Sequence, residues 1–143
     1  MNSHSVVMSL LICALASPAA AQETSRFTVV AITAGQTAQV IATNGGGRSP
    51  LACHIEIVFA DRDGNRIGDP SSMAFVLAPG SFAATSINHP NLLPGERFHV
   101  RAVVSRFKDK TIERGECDEL RARMEVFDTA TGKTTLSWEL PSN

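Results

Sequence analysis

The sequence has almost no net charge, no long hydrophobic run and no sustained helical pattern. Its 143 residues contain 13 basic and 14 acidic side chains, which gives a net charge of −1. A chain without a strongly basic face gives no reason to expect nucleic acid or an anionic membrane surface as a partner. No segment keeps an apolar period of about 3.6 residues, so amphipathic helices are not predicted. Shorter segments, in which apolar and polar residues alternate, indicate the fold instead.

The first 21 residues contain no Lys, Arg, Asp or Glu. The apolar run at 6–16 ends before three alanines that finish at Ala21, and small residues at −3 and −1 fit the groove of a signal peptidase. A run of about 11 residues is shorter than the roughly 20 that cross a bilayer as a helix. Cys13 follows Ile12, where a lipobox needs a small residue, so we assign it to the apolar part of the signal. We predict a signal peptide at 1–21, a periplasmic or secreted protein, and no membrane anchor after cleavage.

Two cysteines, Cys53 and Cys117, remain after cleavage at Ala21. In an oxidising compartment such a pair is most simply a disulfide. The bridge would close a loop of about 65 residues, which contributes on the order of 4 kcal/mol of stability in the chain-entropy model. The sequence therefore predicts a disulfide, with a free catalytic thiol or a metal-binding pair as the alternatives.

Short alternating segments bounded by turn residues dominate the mature chain, which is typical of an all-β domain. The predicted strands are 26–33, 37–43, 51–60, 73–77, 81–87, 98–107, 120–128 and 134–140. Turns at such spacing are typical of two packed antiparallel sheets. We therefore predict one domain at 22–143, an immunoglobulin-like antiparallel β-sandwich of about seven to eight strands. Trp138 follows both cysteines, so the Cys…Trp…Cys order of true immunoglobulin domains is absent and the topology stays open.

Alternation also predicts which side chains face the core and which strands pair. The segments at 51–60 and 98–107 each place charged side chains on one face, so we expect them to be neighbours, with Glu56 opposite or diagonal to Arg101. Pro79 and Gly80 suit the two central positions of a type II turn. The residues predicted to face inward are Cys53, Ile55, Ile57, Phe59, Phe98, Val100, Ala102, Val104, Leu120, Ala122, Met124, Val126, Leu136 and Trp138.

The segment FADRDGNRIG at 59–68 has acids spaced like those of a calcium loop. An EF-hand loop that starts at Asp61 needs Gly at its sixth position and Glu at its twelfth, and Arg66 and Ser72 stand there. Asp63 and Gly64 instead form a strong hairpin signal. We predict a hairpin tip with structural acids, with a cation site as the alternative.

The histidines give only a weak indication of a metal site. His54 and His99 are expected on one exposed face near Glu56, and zinc or copper uses such side chains. A metal site needs three or four ligands at defined geometry, and no motif with tight ligand spacing is present. The sequence therefore predicts exposed polar residues on strands, with His89 in a loop, and neither a metal nor a cofactor.

No catalytic motif emerges from the sequence. The chain contains no G-x-S-x-G, and Ser81 belongs to a turn between strands. Asp118 and Glu119 are adjacent, so on a strand they would point to opposite faces. The glycines at 45–47 are followed by neither a helix pattern nor Lys-Ser/Thr, so a phosphate loop is not predicted. We expect a protein without enzymatic activity and without catalytic residues.

The segment at 107–116 is the most charged in the chain. Its basic residues Lys108, Lys110 and Arg114 alternate with acids, which is typical of a solvated connection. Loops presented by a rigid sandwich are also favoured binding surfaces. These three residues are therefore the candidate partner-contact loop, and a passive connection is the main interpretation.

Several segments resemble a group of small exported bacterial proteins to which no activity is assigned. They are GQTAQVIATN, HIEIVFADRDGN after Cys53, LAPGSFA, FHVRAVV, and MEVFDTATGKT after Cys117. The resemblance covers nearly all of the mature chain. It implies a β-sandwich and an extracytoplasmic location, and it supplies no catalytic residues.

Taken together, these patterns predict an exported, non-enzymatic, disulfide-linked β-sandwich that acts as a binding or structural module. Its expected partner is a protein or another component of the cell envelope. A fimbrial or surface-assembly subunit is the first alternative, and it would have an open apolar groove that a partner's strand fills. A metal-binding or hydrolytic extracytoplasmic protein is the second alternative.

Overall fold

The computed structural model describes residues 21–45, 51–89, 91–108 and 117–139. These ranges form nine strands and contain no helix, which confirms the predicted all-β class. The described part of the chain accordingly has no helix of the length and apolarity needed to cross a membrane. The strands are β1 (Ala21–Arg26), β2 (Val30–Ile32), β3 (Gln36–Asn44), β4 (Cys53–Ala60), β5 (Arg66–Leu77), β6 (Phe82–Asn88), β7 (Phe98–Lys108), β8 (Leu120–Asp128) and β9 (Thr134–Glu139).

The strands form two antiparallel sheets, an arrangement consistent with a β-sandwich. Sheet 1 has the order β1-β7-β4-β5, with β2 also paired to β7, and sheet 2 has the order β6-β3-β8-β9. The apolar faces of both sheets contribute to one continuous core. Burying each large aliphatic side chain contributes about 1.5–3 kcal/mol. The largest fully buried aliphatic side chains are Ile32, Ile55, Ile57, Val40, Val100, Val104 and Val126.

The central strands confirm the predicted inward faces, and the edges depart from them. All four inward residues of β4 and all four of β8 are buried. Leu136 on the edge strand β9 lies opposite the buried Val126 but remains 47% exposed. An edge strand has a neighbour on one side only, so alternation predicts its facing better than its burial.

The strand predicted at 26–33 is two strands in the structure. Arg26 at the end of β1 lies opposite Val103, and Val30 at the start of β2 lies opposite Val100. The chain advances four residues from Arg26 to Val30 while β7 advances three residues between their partners. This edge therefore contains one extra residue, as in a β-bulge. The extra residue lets Val30 face the core while Arg26 faces outward.

β5 begins at Arg66, well before the strand predicted at 73–77. Its pairing with β4 is interrupted between Ile67 and Ser72, where residues 68–71 have no partner on β4. These residues are Gly, Asp, Pro and Ser, which are common in turns. The sequence therefore predicts a turn here rather than the first part of β5. The early start of β5 places Arg66 beside β4.

The chain passes from sheet 1 to sheet 2 through the turn between β5 and β6. The Ser81 N–H donates to the Ala78 carbonyl at 3.0 Å, and Gly80 has a φ of +77°, as a type II turn requires. The turn is as predicted, but its two strands belong to different sheets. Asn44 at the end of β3 holds this corner, because its buried side-chain amide donates to the Leu77 carbonyl at 3.0 Å.

Cys53 and Cys117 lie at bonding distance, with their sulfur atoms 2.00 Å apart. Cys53 begins β4 of sheet 1, and Cys117 lies just before β8 of sheet 2. Both side chains are buried, at 0% and 2% exposed. The bridge therefore links the two sheets at one end of the domain. A disulfide in this position is consistent with an oxidising, extracytoplasmic compartment.

Candidate functional site

A pocket with a volume of about 320 Å³ opens on the outer face of sheet 1, toward the end where β4 turns into β5. Ligand pockets in proteins measure about 300–1,000 Å³, so this one suits a small ligand or one group of a larger ligand. We call it the arginine pocket. Its rim includes Arg26, Arg66, Arg101 and Glu56, and its floor is Val58, Ala60, Val103 and Ser105.

Short side chains on β4 and β7 form the floor. Successive residues of a strand point to opposite faces, so Val58 and Ala60 point outward while Ile57 and Phe59 enter the core. Val58 is 6% exposed, and Ala60 and Ser105 are each 4% exposed, although all three lie on the outer face. The depression exists because short side chains lie here between long ones on the neighbouring strands.

The strand register brings the three arginines around this floor. Arg66 on β5 and Arg101 on β7 lie on either side of Ala60 in one row of the sheet. Arg26 on β1 lies opposite Val103 and therefore diagonal to Arg101. Diagonal neighbours are about 7–8 Å apart, within the reach of long side chains. Side chains from three strands can thus converge on one ligand.

Positive charge exceeds negative charge in the pocket. Arg66 Nη1 lies 3.6 Å from Glu56 Oε1, and an ion pair as exposed as this one contributes about 0–1 kcal/mol. Within the described ranges, Arg26 and Arg101 have no carboxylate oxygen within 4.0 Å. Three guanidinium groups therefore face a single carboxylate, and two of them are not neutralised.

Arg101 also has an unsatisfied hydrogen-bond donor. Its Nε is buried and has no acceptor among the residues that the structure describes. A buried donor left unpaired costs about 1–3 kcal/mol. Arg101 is held against the β4–β5 hairpin, since its Nη2 lies 3.4 Å from where a Cβ on Gly64 would be.

The hairpin tip beside Arg101 is organised by Asp61, as the interpretation of a structural acid predicted. One carboxylate oxygen of Asp61 accepts from the backbone N–H groups of Asp63 and Asn65, at 2.9 and 2.8 Å. The other accepts from the side-chain amide of Asn65 at 2.9 Å. These hydrogen bonds, the one from the Asn65 amide foremost, lower the pKa of Asp61 below its ordinary value of 3.8.

The histidines do not come together. His54 and His99 both point outward from sheet 1, but His54 lies opposite Phe107, eight residues along β7 from His99. At about 3.3 Å per residue, they are roughly 26 Å apart. Within the described ranges, no group of three His, Cys, Asp or Glu side chains could hold a metal ion.

The pairing of Glu56 and Arg101 differs from the prediction, although the two strands are neighbours as expected. Glu56 lies opposite Ser105, and Arg101 lies opposite Ala60, four residues further along. The cation beside Glu56 is instead Arg66. The facing of these residues was predictable from alternation, whereas the register was not, because β4 and β7 are joined by no hairpin turn that would fix it.

Of the three predicted partner-contact residues, Lys108 alone lies in the described part of the chain. Lys108 is the last residue of β7 and lies opposite Ala21. Lys110 and Arg114 lie outside the described residues, as do residues 1–20 of the signal peptide predicted at 1–21.

Of the four charged residues of the pocket, the sequence patterns predicted the outward facing of two and did not single out the other two. Glu56 and Arg101 are outward residues of clearly alternating strands. Arg26 joins them only through the pairing of β1 with β7, and the polar segment before it shows no strand pattern. In the sequence, Arg66 stands out only because a calcium loop would need Gly at its position. The missed residues lie on the two edge strands of sheet 1.

Comparison of the chain with protein-family models, with curated proteins and with solved structures found no match in any of the three. The resemblance to small exported bacterial proteins therefore rests on the sequence segments alone. No residue role passes to this chain from a characterised relative. The chemistry of the pocket follows from its own geometry, in which guanidinium groups from three strands surround a shallow floor.

Proposed function

We propose that this chain is an exported, non-enzymatic, immunoglobulin-like β-sandwich that binds an anionic group of a partner outside the cytoplasm. The observation that carries the proposal is the arginine pocket, where three guanidinium groups and one carboxylate surround a floor on the outer face of sheet 1. Guanidinium groups are well suited to oxyanions because their planar donors match two acceptor oxygens. Electrostatic attraction also raises the rate of encounter with an anionic partner.

The sheet beneath the pocket supports a role in recognition. β4 and β7 are central strands with a buried inner face, so the backbone that carries Glu56 and Arg101 is fixed by the core. Binding sites on rigid elements lose less conformational entropy when a ligand arrives. A fixed floor with long side chains around it therefore suits the binding of an anion.

The pocket's chemistry favours binding over catalysis. Its only hydroxyl group is that of Ser105, whose oxygen lies 3.5 Å from the Thr24 oxygen. No histidine or cysteine lines the pocket to act as a general base or a nucleophile. Within the described ranges, no observation favours a fimbrial subunit or a metal-dependent hydrolase over an anion-binding module.

The proposed export rests on two independent features. The apolar run at 6–16 and the alanines that end at Ala21 fit a cleavable signal. The buried bridge between Cys53 and Cys117 is consistent with an oxidising compartment and so supports export. Cleavage after Ala21 would leave Gln22 as the first residue, within the first strand of sheet 1.

Anion binding is tested by titrating isotope-labelled mature protein with citrate and following the backbone amide resonances. We expect shifts confined to residues around the arginine pocket. Arg101→Gln removes a charge-assisted hydrogen bond of about 1.5–3 kcal/mol, so citrate affinity should fall about tenfold or more. Arg121→Gln is the matched control, because Arg121 is an exposed arginine on β8 of sheet 2.

The control separates a built site from general attraction to a positive surface. Equal loss of affinity in Arg101→Gln and Arg121→Gln would contradict the proposal. Shifts spread evenly over both sheets would contradict it as well. The amide spectra of both variants without citrate show whether either substitution has disturbed the fold.

A further inference from the structure

Guanidinium groups approach the floor of the arginine pocket from more than one direction. Arg66 and Arg101 flank Ala60 from β5 and β7, and Arg26 comes from β1 on the far side of β7. A carboxylate has two acceptor oxygens in a plane, and one guanidinium satisfies both of them side by side. Donors on several sides match an oxyanion whose oxygens also point in several directions, as those of a tetrahedral phosphate or sulfate do.

The net charge of the pocket points to the same ligand class. Glu56 lies 3.6 Å from Arg66 and balances that guanidinium. Arg26 and Arg101 remain without a carboxylate partner in the described part of the chain. Two unbalanced positive charges match a dianion.

Glu56 makes the pocket sensitive to whether the oxyanion carries a proton. An ionised carboxylate is only an acceptor of hydrogen bonds. Sulfate at neutral pH also has only acceptors, so its oxygens would repel Glu56. Hydrogen phosphate keeps one hydroxyl group at neutral pH and can donate that hydrogen to Glu56 while its other oxygens accept from the arginines.

We propose that the arginine pocket binds phosphate in a protonated form and that Glu56 selects it over sulfate. This inference rests on the proposed anion-binding function and deepens it by naming the ligand class and the residue that sets specificity. The pocket volume of about 320 Å³ admits either a free phosphate ion or the terminal phosphoryl group of a larger molecule. A phosphoryl monoester has a second pKa of about 6, so at pH 7 only its minor, monoprotonated form keeps the hydroxyl group that can donate to Glu56.

The test is calorimetric titration of mature protein with sodium phosphate and sodium sulfate at pH 7 and constant ionic strength. We expect phosphate to bind about tenfold or more tightly than sulfate, since one ligand hydrogen bond is replaced by one repulsion. Glu56→Gln supplies an amide that can donate to sulfate, so this variant should bind both anions with similar affinity. Arg101→Gln, or Arg26→Gln if the first variant is unfolded, should weaken both anions together.

Glu125→Gln is the matched control for Glu56→Gln. Glu125 is also about four-fifths buried and lies 3.0 Å from an arginine, Arg123, but it is on the outer face of sheet 2. This control should keep the preference for phosphate. Titration with glycerol phosphate at pH 6, where about half of the monoester keeps a hydroxyl group, distinguishes the two sources, and affinity equal to or above that of inorganic phosphate would support the same ligand class on a larger molecule.

Two results would overturn the inference and leave the proposed function intact. The first is equal binding of phosphate and sulfate to the unaltered protein, with both still weakened by Arg101→Gln. The second is localised binding of citrate with no binding of either inorganic anion. Failure of phosphate, sulfate and citrate alike to bind at the pocket would overturn both proposals.

Discussion

Asp61 illustrates how one side chain can fix a turn. Its two carboxylate oxygens accept three hydrogen bonds from residues at 63 and 65, and its own N–H donates to the Asn65 carbonyl. Gly64 completes the turn with a φ of +92°, a conformation that side chains rarely adopt. The turn places Gly64 against Arg101, so a structural acid outside the arginine pocket positions one of its walls.

Replacing Asp61 with Ala should lower the melting temperature by a few degrees at pH 7, because two backbone N–H groups lose their acceptor. The folded-state pKa of Asp61 lies below 3.8, so its contribution to stability is complete above that pH and is lost as the pH falls through the lower value. Thermal unfolding followed by circular dichroism should therefore show the two proteins converging at strongly acidic pH.

Asp63→Ala is the control for this experiment, because the Asp63 side chain is exposed and only its backbone takes part in the turn. It should leave the melting temperature nearly unchanged at pH 7. If Asp61→Ala and Asp63→Ala had the same effect, the assignment of Asp61 as the organising residue would be wrong.

Among the elements, the end of β3 connects the two sheets. Asn44 is 2% exposed, and its amide nitrogen donates to the Leu77 carbonyl at 3.0 Å and to the Leu51 carbonyl at 3.3 Å. Its backbone pairs with the turn as well, since the Gly80 N–H donates to the Asn44 carbonyl at 2.8 Å. One buried amide thus joins the last residue of β3 to the last residue of β5.

We expect Asn44→Ala to lower the free energy of unfolding by about 1–3 kcal/mol, because it leaves the buried Leu77 carbonyl without its donor. Urea denaturation of the purified variant measures this loss. Asn88→Ala is the matched control, since Asn88 is an exposed asparagine at the end of β6. A variant of Asn44 as stable as the control would show that water replaces the amide at no cost.

The elements differ in how far the sequence predicts them. β4, β7 and β8 carry apolar residues at their buried inward positions and polar residues at many outward ones, because their inner faces are buried in the core, and their bounds and facing were predictable. β1 and the first part of β5 are edge segments with one neighbour each, and their polar or turn-forming residues carry no such pattern. The arginine pocket combines both kinds of strand, so Arg101 was predictable and Arg26 was not.

At the scale of the molecule, the disulfide lies at the start of β4, whereas Arg66 and Arg101 of the arginine pocket flank Ala60 at its end. The bridge joins β4 to the segment before β8 across a sequence separation of 64 residues. It restricts the unfolded chain far more than it restricts the pocket. Loss of the bridge should therefore reduce stability without changing the pocket's ligand preference.

Replacing Cys53 and Cys117 together with Ser should lower the free energy of unfolding by about 4 kcal/mol, as expected for closure of a loop of this length. Denaturation in urea, with and without a reductant for the unaltered protein, measures the loss. Intact mass of protein recovered after export should match a chain that begins at Gln22. Alkylation should add no mass to it, and two alkylated thiols would rule out the bridge.

The arginine pocket takes its charged residues from positions 26, 56, 66 and 101, so it exists only when four strands are assembled. The unfolded chain cannot reproduce this arrangement, and any ligand of the pocket must bind the folded state alone. Binding is then coupled to folding, and a ligand at 100 times its dissociation constant would add about 2.7 kcal/mol of stability. The protein's own melting temperature thus becomes a reporter with which unknown anionic ligands can be screened.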